Sequence, residues 1–112
     1  MTTGPSTGLG TGVAVVLVTA PNEENAALIA RTLVEEGLIA CGNLVPGVRS
    51  IYKWEGSVAD EREVLMVLKC PAAGYAALQA RILSLHPSTV PEVLRLEVPE
   101  GSPAYVQWVL SA

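Results

Sequence analysis

Ser50-Ile51-Tyr52-Lys53-Trp54-Glu55-Gly56 runs directly into Ser57-Val58. The stretch carries one of the three tyrosines and one of the two tryptophans of a chain that has no phenylalanine. Gly56-Ser57 reads as a two-residue hairpin turn. With that turn Lys53 lies opposite Asp60 and Tyr52 opposite Glu61, and the Lys53–Asp60 pair of opposite charges favours the register. Alternation along an extended strand puts Tyr52 and Trp54 on one face. Aromatic surface is costly to leave in water, so this arm is expected to meet a partner, a pocket or another subunit.

Both sides of the arm continue as strand. Leu38 to Glu55 reads as one long extended segment with a bulge or bend at Pro46-Gly47. The returning strand carries Val64-Leu65-Met66-Val67-Leu68, apolar on both faces. Upstream, Val13 to Val18 is a continuous, largely β-branched run, the pattern of a strand buried on both faces. Asn22 then caps a helix whose first turn holds Glu23 and Glu24, where the dipole favours negative charge. Ala26, Ile29, Ala30, Leu33 and Val34 recur at helical spacing, and Gly37 ends the helix.

Downstream, Pro71 is expected to open a second helix with Tyr75, Leu78, Ile82 and Leu85 along one stripe. His86-Pro87-Ser88-Thr89-Val90-Pro91 stops it. Val93 to Val98 alternates as a half-exposed strand, and Ser102-Pro103 opens a short last helix. The order β-α-β-β-α-β plus a C-terminal helix predicts an α+β, ferredoxin-like fold. Its four-stranded antiparallel sheet would carry a central hairpin longer than the sheet needs.

Composition narrows the function classes. The chain has 112 residues, of which 50% are hydrophobic and 16% charged, which favours an oligomer that hides apolar surface. The net charge is −4 and no Lys/Arg cluster is present, so nucleic acid is an unsuitable partner. No apolar run is long enough for membrane insertion. Residues 1–12 are rich in Gly, Thr and Ser and read as a disordered N-terminal tail before a single domain over 13–112. The start lacks a basic, apolar leader, which points to the cytoplasm, with Cys41 and Cys70 as reduced thiols. In the register above Cys70 faces Asn43, which places the two cysteines too far apart for an unstrained disulfide.

Val18-Thr19-Ala20-Pro21 with Glu24 resembles the opening of the CutA family of divalent-cation-tolerance proteins. So do Leu33-Val34-Glu35, Ala40-Cys41-Gly42-Asn43, Ser50 to Gly56, Glu63 to Lys69, His86-Pro87, Val90-Pro91-Glu92, and Tyr105 with Trp108. The pieces run in order over about Val13 to Leu110. The resemblance implies a tight homotrimer of ferredoxin-like subunits, built like the PII signalling proteins, in which each long hairpin extends a neighbour's sheet. It implies tolerance or binding of copper or another divalent metal ion, with no required cofactor. The resemblance places Tyr52, Trp54 and Trp108 at the trimer interface. No nucleophile–base pair or triad spacing is visible and the one histidine precedes Pro87, so no enzymatic activity is expected.

His86, the sole histidine, is the metal-ligand candidate that the resemblance points to. Set against this is a helix-terminal histidine bonded to backbone, its charged form favoured by the dipole. Copper-binding relatives have a thiol where this chain has Val18, a second histidine where it has Leu85, and aromatic and polar groups where it has Ser88-Thr89. Glu61 and Glu63 are the further metal candidates. Lys69 stands inside an apolar strand and needs a partner or a ligand. With Glu92 and Asn43 it is expected to line an intersubunit cleft. The alternative function is a PII-like signalling or scaffold trimer that binds a small anionic metabolite there, anchored by Lys69. No phosphate-cradling glycine motif accompanies it.

Overall fold

A computed structural model describes residues 10–112 of the chain. The expected disordered tail falls mostly on residues 1–9, outside the described residues. Gly10 to Gly12 form a turn in which Thr11 is tied to Val98: its N–H and its hydroxyl both donate to the Val98 carbonyl, at 3.2 and 2.7 Å. The Thr11 hydroxyl also accepts from the Val13 N–H, at 3.1 Å, where β1 begins.

The elements are β1 (Val13–Ala20), α1 (Glu23–Glu35), β2 (Cys41–Trp54), β3 (Ser57–Pro71), α2 (Tyr75–Leu85), β4 (Val93–Glu97) and α3 (Pro103–Ser111). The sheet order is β2-β3-β1-β4, and every pairing is antiparallel, as in the ferredoxin-like arrangement. No helix among the described residues is long and apolar enough to cross a membrane.

Local chemistry sets α1. The Asn22 side chain accepts from the Asn25 N–H at 2.8 Å, satisfying one orphan donor of the first turn. At the other end Gly37 takes φ 74°, and the Gly37 and Leu38 N–H groups donate to Val34 and Leu33 carbonyls. That is the left-handed termination expected of a glycine one step past a helix. The second helix starts later than expected. Pro71 is the last residue of β3, opposite Val13, and a single 3-10 turn over Ala72–Gly74 intervenes before Tyr75. Its fixed φ suits a strand end as well as a helix start.

One face of the sheet is sealed by α1 and α2. Val16, Val18, Met66 and Leu68 from the strands meet Ile29, Leu33, Leu78 and Ile82 from the helices, and all are essentially fully buried. The other face is covered only in part. There α3 lies against β1 and β3, Val109 is fully buried, and Tyr105 reaches Cys41.

The hairpin corrects the expected register. The turn is Glu55-Gly56, with Trp54 opposite Ser57, so Lys53 faces Val58 and Tyr52 faces Ala59. Glu55 and Gly56 both have positive φ, 48° and 83°, which is the turn that matches strand twist. The slip from the expected register is two residues, so the faces assigned by alternation survive while the partners change. Asp60 is taken by Arg49 instead of Lys53, through two bonds of 2.9 and 2.7 Å. Arg49 lies directly opposite Arg62, and the diagonal Asp60 carboxylate supplies Arg49 with a counter-charge beside that like-charge pair. Arg49 in turn holds the Asp60 carboxyl below its ordinary value.

Pro46-Gly47 is a bulge, as the sequence suggests. The register shifts between Val45 and Val48, and Gly47 has φ 74°. The extra residue adds to the two-residue slip at the tip, so Asn43 faces Val67, not Cys70, and Lys69 stands opposite Cys41. Cys70 points into the helix-covered core, Cys41 lies on the opposite face, and both are free thiols.

Glu55 stands in a conformation that non-glycine residues enter at a cost. Glu55→Asn is expected to stabilise the fold by about 0.5 kcal/mol, because Asn tolerates this region better and Asn-Gly favours this turn. A rise in the urea midpoint at fixed protein concentration checks it; an unchanged midpoint would show that the tip is not strained.

Candidate functional site

β3 pairs with β1 only as far as Val64, opposite Ala20. Beyond that point β2 and β3 run on alone, for roughly 20 Å by the rise per residue. This arm gives the molecule its extents of 50 × 29 × 23 Å. Where the arm leaves the body, it and the loop between α2 and β4 enclose an open groove of about 590 Å³. Ser50, Tyr52, Trp54 and Glu63 line it from the arm, and Ser88 to Glu92 from the loop. Thr19 and His86 close its base.

Five of the candidate residues therefore meet by topology: the arm brings Tyr52, Trp54 and Glu63 to the loop that carries Glu92, with His86 at the base. Register explains the arm's share. Ser50 faces Glu61 and Val48 faces Glu63, so Tyr52, Trp54, Glu61 and Glu63 project from one side of the sheet. The Tyr52 hydroxyl donates diagonally to Glu61 Oε1 at 2.5 Å. This bond to a carboxylate pushes the Tyr52 phenol above its ordinary pKa. Glu61 is thereby engaged with Tyr52.

His86 caps the end of α2 and is nearly buried. Its Nε2–H donates to the Thr19 carbonyl at 2.7 Å, and its Nδ1 accepts the Ser88 N–H at 3.1 Å. An Nδ1 that accepts from an amide carries no proton, so these partners define a neutral imidazole with its hydrogen on Nε2. The charged, dipole-favoured form expected from the sequence is not the one this bonding selects. Both ring nitrogens are committed to backbone, and the side chain fixes the start of the Ser88–Glu92 loop to β1.

A divalent metal ion fits the individual side chains poorly. Among the described residues no three His, Cys, Asp or Glu side chains are grouped to hold one. The His86 nitrogens would each have to give up a backbone partner to bind it. Transition-metal sites ordinarily draw three or four protein ligands.

Lys69 and Asn43 lie elsewhere. Lys69 is six residues along β3 from Glu63, roughly 20 Å by the strand rise. Its ammonium donates to the Asn43 side-chain oxygen, and Cys41 Sγ lies 4.0 Å away. The buried-strand lysine has thus found its partner within the chain, next to the α3 end of the sheet. Burial and the neighbouring Cys41 thiol push the Tyr105 phenol upward. Trp108 packs on Tyr105 with ring centroids 5.6 Å apart and is half exposed.

The sequence reading missed the loop's share of the groove. Thr19 lies at the end of β1 and Ser88 and Thr89 just past α2, and no periodicity in their local pattern marks them as groove-lining. The signal present was the clustering of hydroxyl residues directly after His-Pro, on a loop forced back toward β1.

The sequence profile of the CutA1 divalent ion tolerance proteins matches residues 14–112. The chain is 46% identical over 95 residues to a divalent-cation tolerance protein CutA of Thermus thermophilus, covering 85% of this chain and 92% of that protein. It is 44% identical over 97 residues to the human protein CutA, covering 87% of this chain but 54% of that longer one. Among solved structures, the Thermus thermophilus divalent cation tolerance protein superposes with a TM-score of 0.85 at 44% identity, over 88% of this chain and 96% of that one. CutA1 from Oryza sativa superposes with a TM-score of 0.86 at 35% identity, over 91% of this chain and 94% of that one. A match of this extent, on a fold derived independently from register and topology, decides the family: the chain belongs to the CutA1 divalent ion tolerance proteins.

Proposed function

We propose that this chain is a cytoplasmic, non-enzymatic homotrimer that acts in tolerance to divalent metal ions, copper among them, and binds such ions where its subunits meet. The observation that carries the assembly is the arm with the half-covered sheet behind it. Ile51, Tyr52, Trp54 and Val58 are exposed on the arm, and Leu94, Leu96 and Val45 are exposed on the sheet. The order β2-β3-β1-β4 also leaves both β2 and β4 as unpaired edges. Exposed apolar surface beside open strand edges is the pattern of a surface made to be covered. A neighbouring copy pairing its arm along β4 would cover both at once, with Tyr52, Trp54 and Trp108 at the junctions.

The metal reading rests on the family and on carboxylates that stand free of the core. Among the described residues of one chain too few ligands are grouped, so an ion would be held by side chains from more than one subunit, with Glu61 and Glu63 as this chain's contributions. Light scattering at micromolar concentration is expected to give a mass of about three chains. Titration calorimetry with copper and with zinc is expected to show binding that weakens in Glu61→Gln/Glu63→Gln. A single-chain mass would remove the assembly, and equal heats in the variant would remove these carboxylates from the site.

A further inference from the structure

We propose that His86 is a latch on the loop between α2 and β4, and that a single proton opens it. Among the described residues it is the one polar side chain in the buried set, and its ring joins two elements at once. Its Nε2–H holds the Thr19 carbonyl of β1, and its Nδ1 accepts the Ser88 N–H of the loop. That second bond stands alone. Among the described residues no other hydrogen bond ties Ser88, Thr89 or Val90 to the rest of the chain, and pairing of β4 with β1 begins only at Val93. Ser88 to Val90 are exposed, and Pro87 and Pro91 on either side have no N–H to donate. The loop's place against the body therefore depends on whether Nδ1 carries a proton.

A proton on Nδ1 turns the acceptor into a donor facing the Ser88 N–H. The loop bond is lost while the Nε2–H bond to Thr19 survives, so the ring stays seated and the loop comes free. An imidazole takes up that proton between about pH 5 and 8. The released state has room for the extra proton and the latched state has none, so acid favours release. The charges around the ring do not hold the latch shut. Glu63 of the arm and Glu92 of the loop share the groove whose base His86 closes, and both draw a proton toward this corner. Among the described residues neither they nor any other acid forms an ion pair with the ring. Glu61 is held by Tyr52, Arg81 of α2 by Glu36, and Arg95 of β4 by Glu97; Tyr75 of α2 bonds Gln79. β1 has no titratable side chain, and Glu23 and Glu24 stand exposed in the first turn of α1. Since the loop leads into β4, release frees the start of the strand at the sheet's edge. Only a proton has to reach the ring, so the latch operates whether the groove lies open or beneath a second copy.

The test is NMR on the full chain, where a sole histidine makes the ring signals unambiguous. Near neutral pH the ring nitrogen shifts should show a neutral imidazole with its hydrogen on Nε2. From about pH 7.5 down to about pH 5 the ring should protonate. Over the same range the Ser88 amide, corrected for intrinsic exchange, should lose about tenfold of its hydrogen-exchange protection, the effect of one lost hydrogen bond. The Val16 amide in the core of the sheet should keep its protection, which separates release from unfolding. His86→Gln, whose amide does not titrate, should show no such step; the wild-type readouts decide even if that variant fails to fold. A ring that protonates while Ser88 stays protected would overturn the proposal. So would a ring that stays neutral until the whole fold opens, or the same step in His86→Gln, which would assign the effect to Glu63 or Glu92. A single-chain mass or an absence of metal binding leaves each readout intact, so failure of those readings is told apart from failure of the latch.

Discussion

His86→Ala is expected to lower stability by about 3 kcal/mol and to leave the heats of copper and zinc binding unchanged. The size follows from what the imidazole satisfies. Its removal strands the Thr19 carbonyl and the Ser88 N–H at a nearly buried site, and each unsatisfied group costs about 1–3 kcal/mol. His86→Gln should recover part of the loss, because an amide can supply one donor and one acceptor but not the ring's spacing. Urea midpoints at fixed protein concentration measure the first effect, since the proposed assembly would make stability concentration-dependent. Titration calorimetry measures the second. If metal heats vanished in His86→Ala and stability held, the imidazole would be a ligand, and its bonds to Thr19 and Ser88 would have to open on binding.

The histidine also shows what local sequence conveys and what it withholds. Its place at a helix end before Pro87 is plain from the pattern, and a backbone-bonded role is one of the two readings the pattern allows. Which carbonyl it meets depends on β1, 67 residues earlier, and no local pattern holds that. The same division runs through the fold. Asn22, Gly37 and the spacing of Ile29 and Leu33 specify α1 because a helix is a local structure. Pro46-Gly47 marked the bulge, but counting rungs across it needed the number of extra residues, which only pairing shows. At the tip, Gly56-Ser57 and Glu55-Gly56 are both acceptable two-residue turns. A charge pair chose the wrong one, because Arg49 competes for Asp60 from a diagonal position.

The candidate site followed suit. Parity along the strands gathered Tyr52, Trp54, Glu61 and Glu63 correctly, and parity is indifferent to a slip of two. Lys69 shares that parity on β3 but sits at the far end of the strand, beside Asn43. The loop wall of the groove was invisible for the opposite reason. Ser88 and Thr89 have no periodic partner, and their position is set by where α2 ends and how His86 anchors the turn.

Leu94→Asp with Leu96→Asp is expected to turn the proposed three-chain particle into single chains. Both leucines lie on the strand at the sheet's edge and point away from α1 and α2: they face Leu17 and Val15 of β1, while Val93 packs toward the core. They are 55% and 50% exposed in the single chain, on the same side of the sheet as Leu65 and Val67 of β3 and Val45 of β2. Covering a leucine of this size contributes about 1.5–3 kcal/mol. An aspartate in its place forfeits that gain and brings a carboxylate that finds no cation among these neighbours, a further cost of several kcal/mol if it stays charged. A closed ring of three repeats the penalty at every junction. The helix-side core is untouched, so circular dichroism should keep its mixed α and β signature while light scattering falls to one chain. Leu28→Asp is the matched control: Leu28 is 61% exposed but stands on α1, on the opposite side of the sheet. Its mass should remain that of the unaltered protein. Should the double variant keep a three-chain mass, the junction would lie along the arm, and the open sheet face would have to be covered by something other than a second copy.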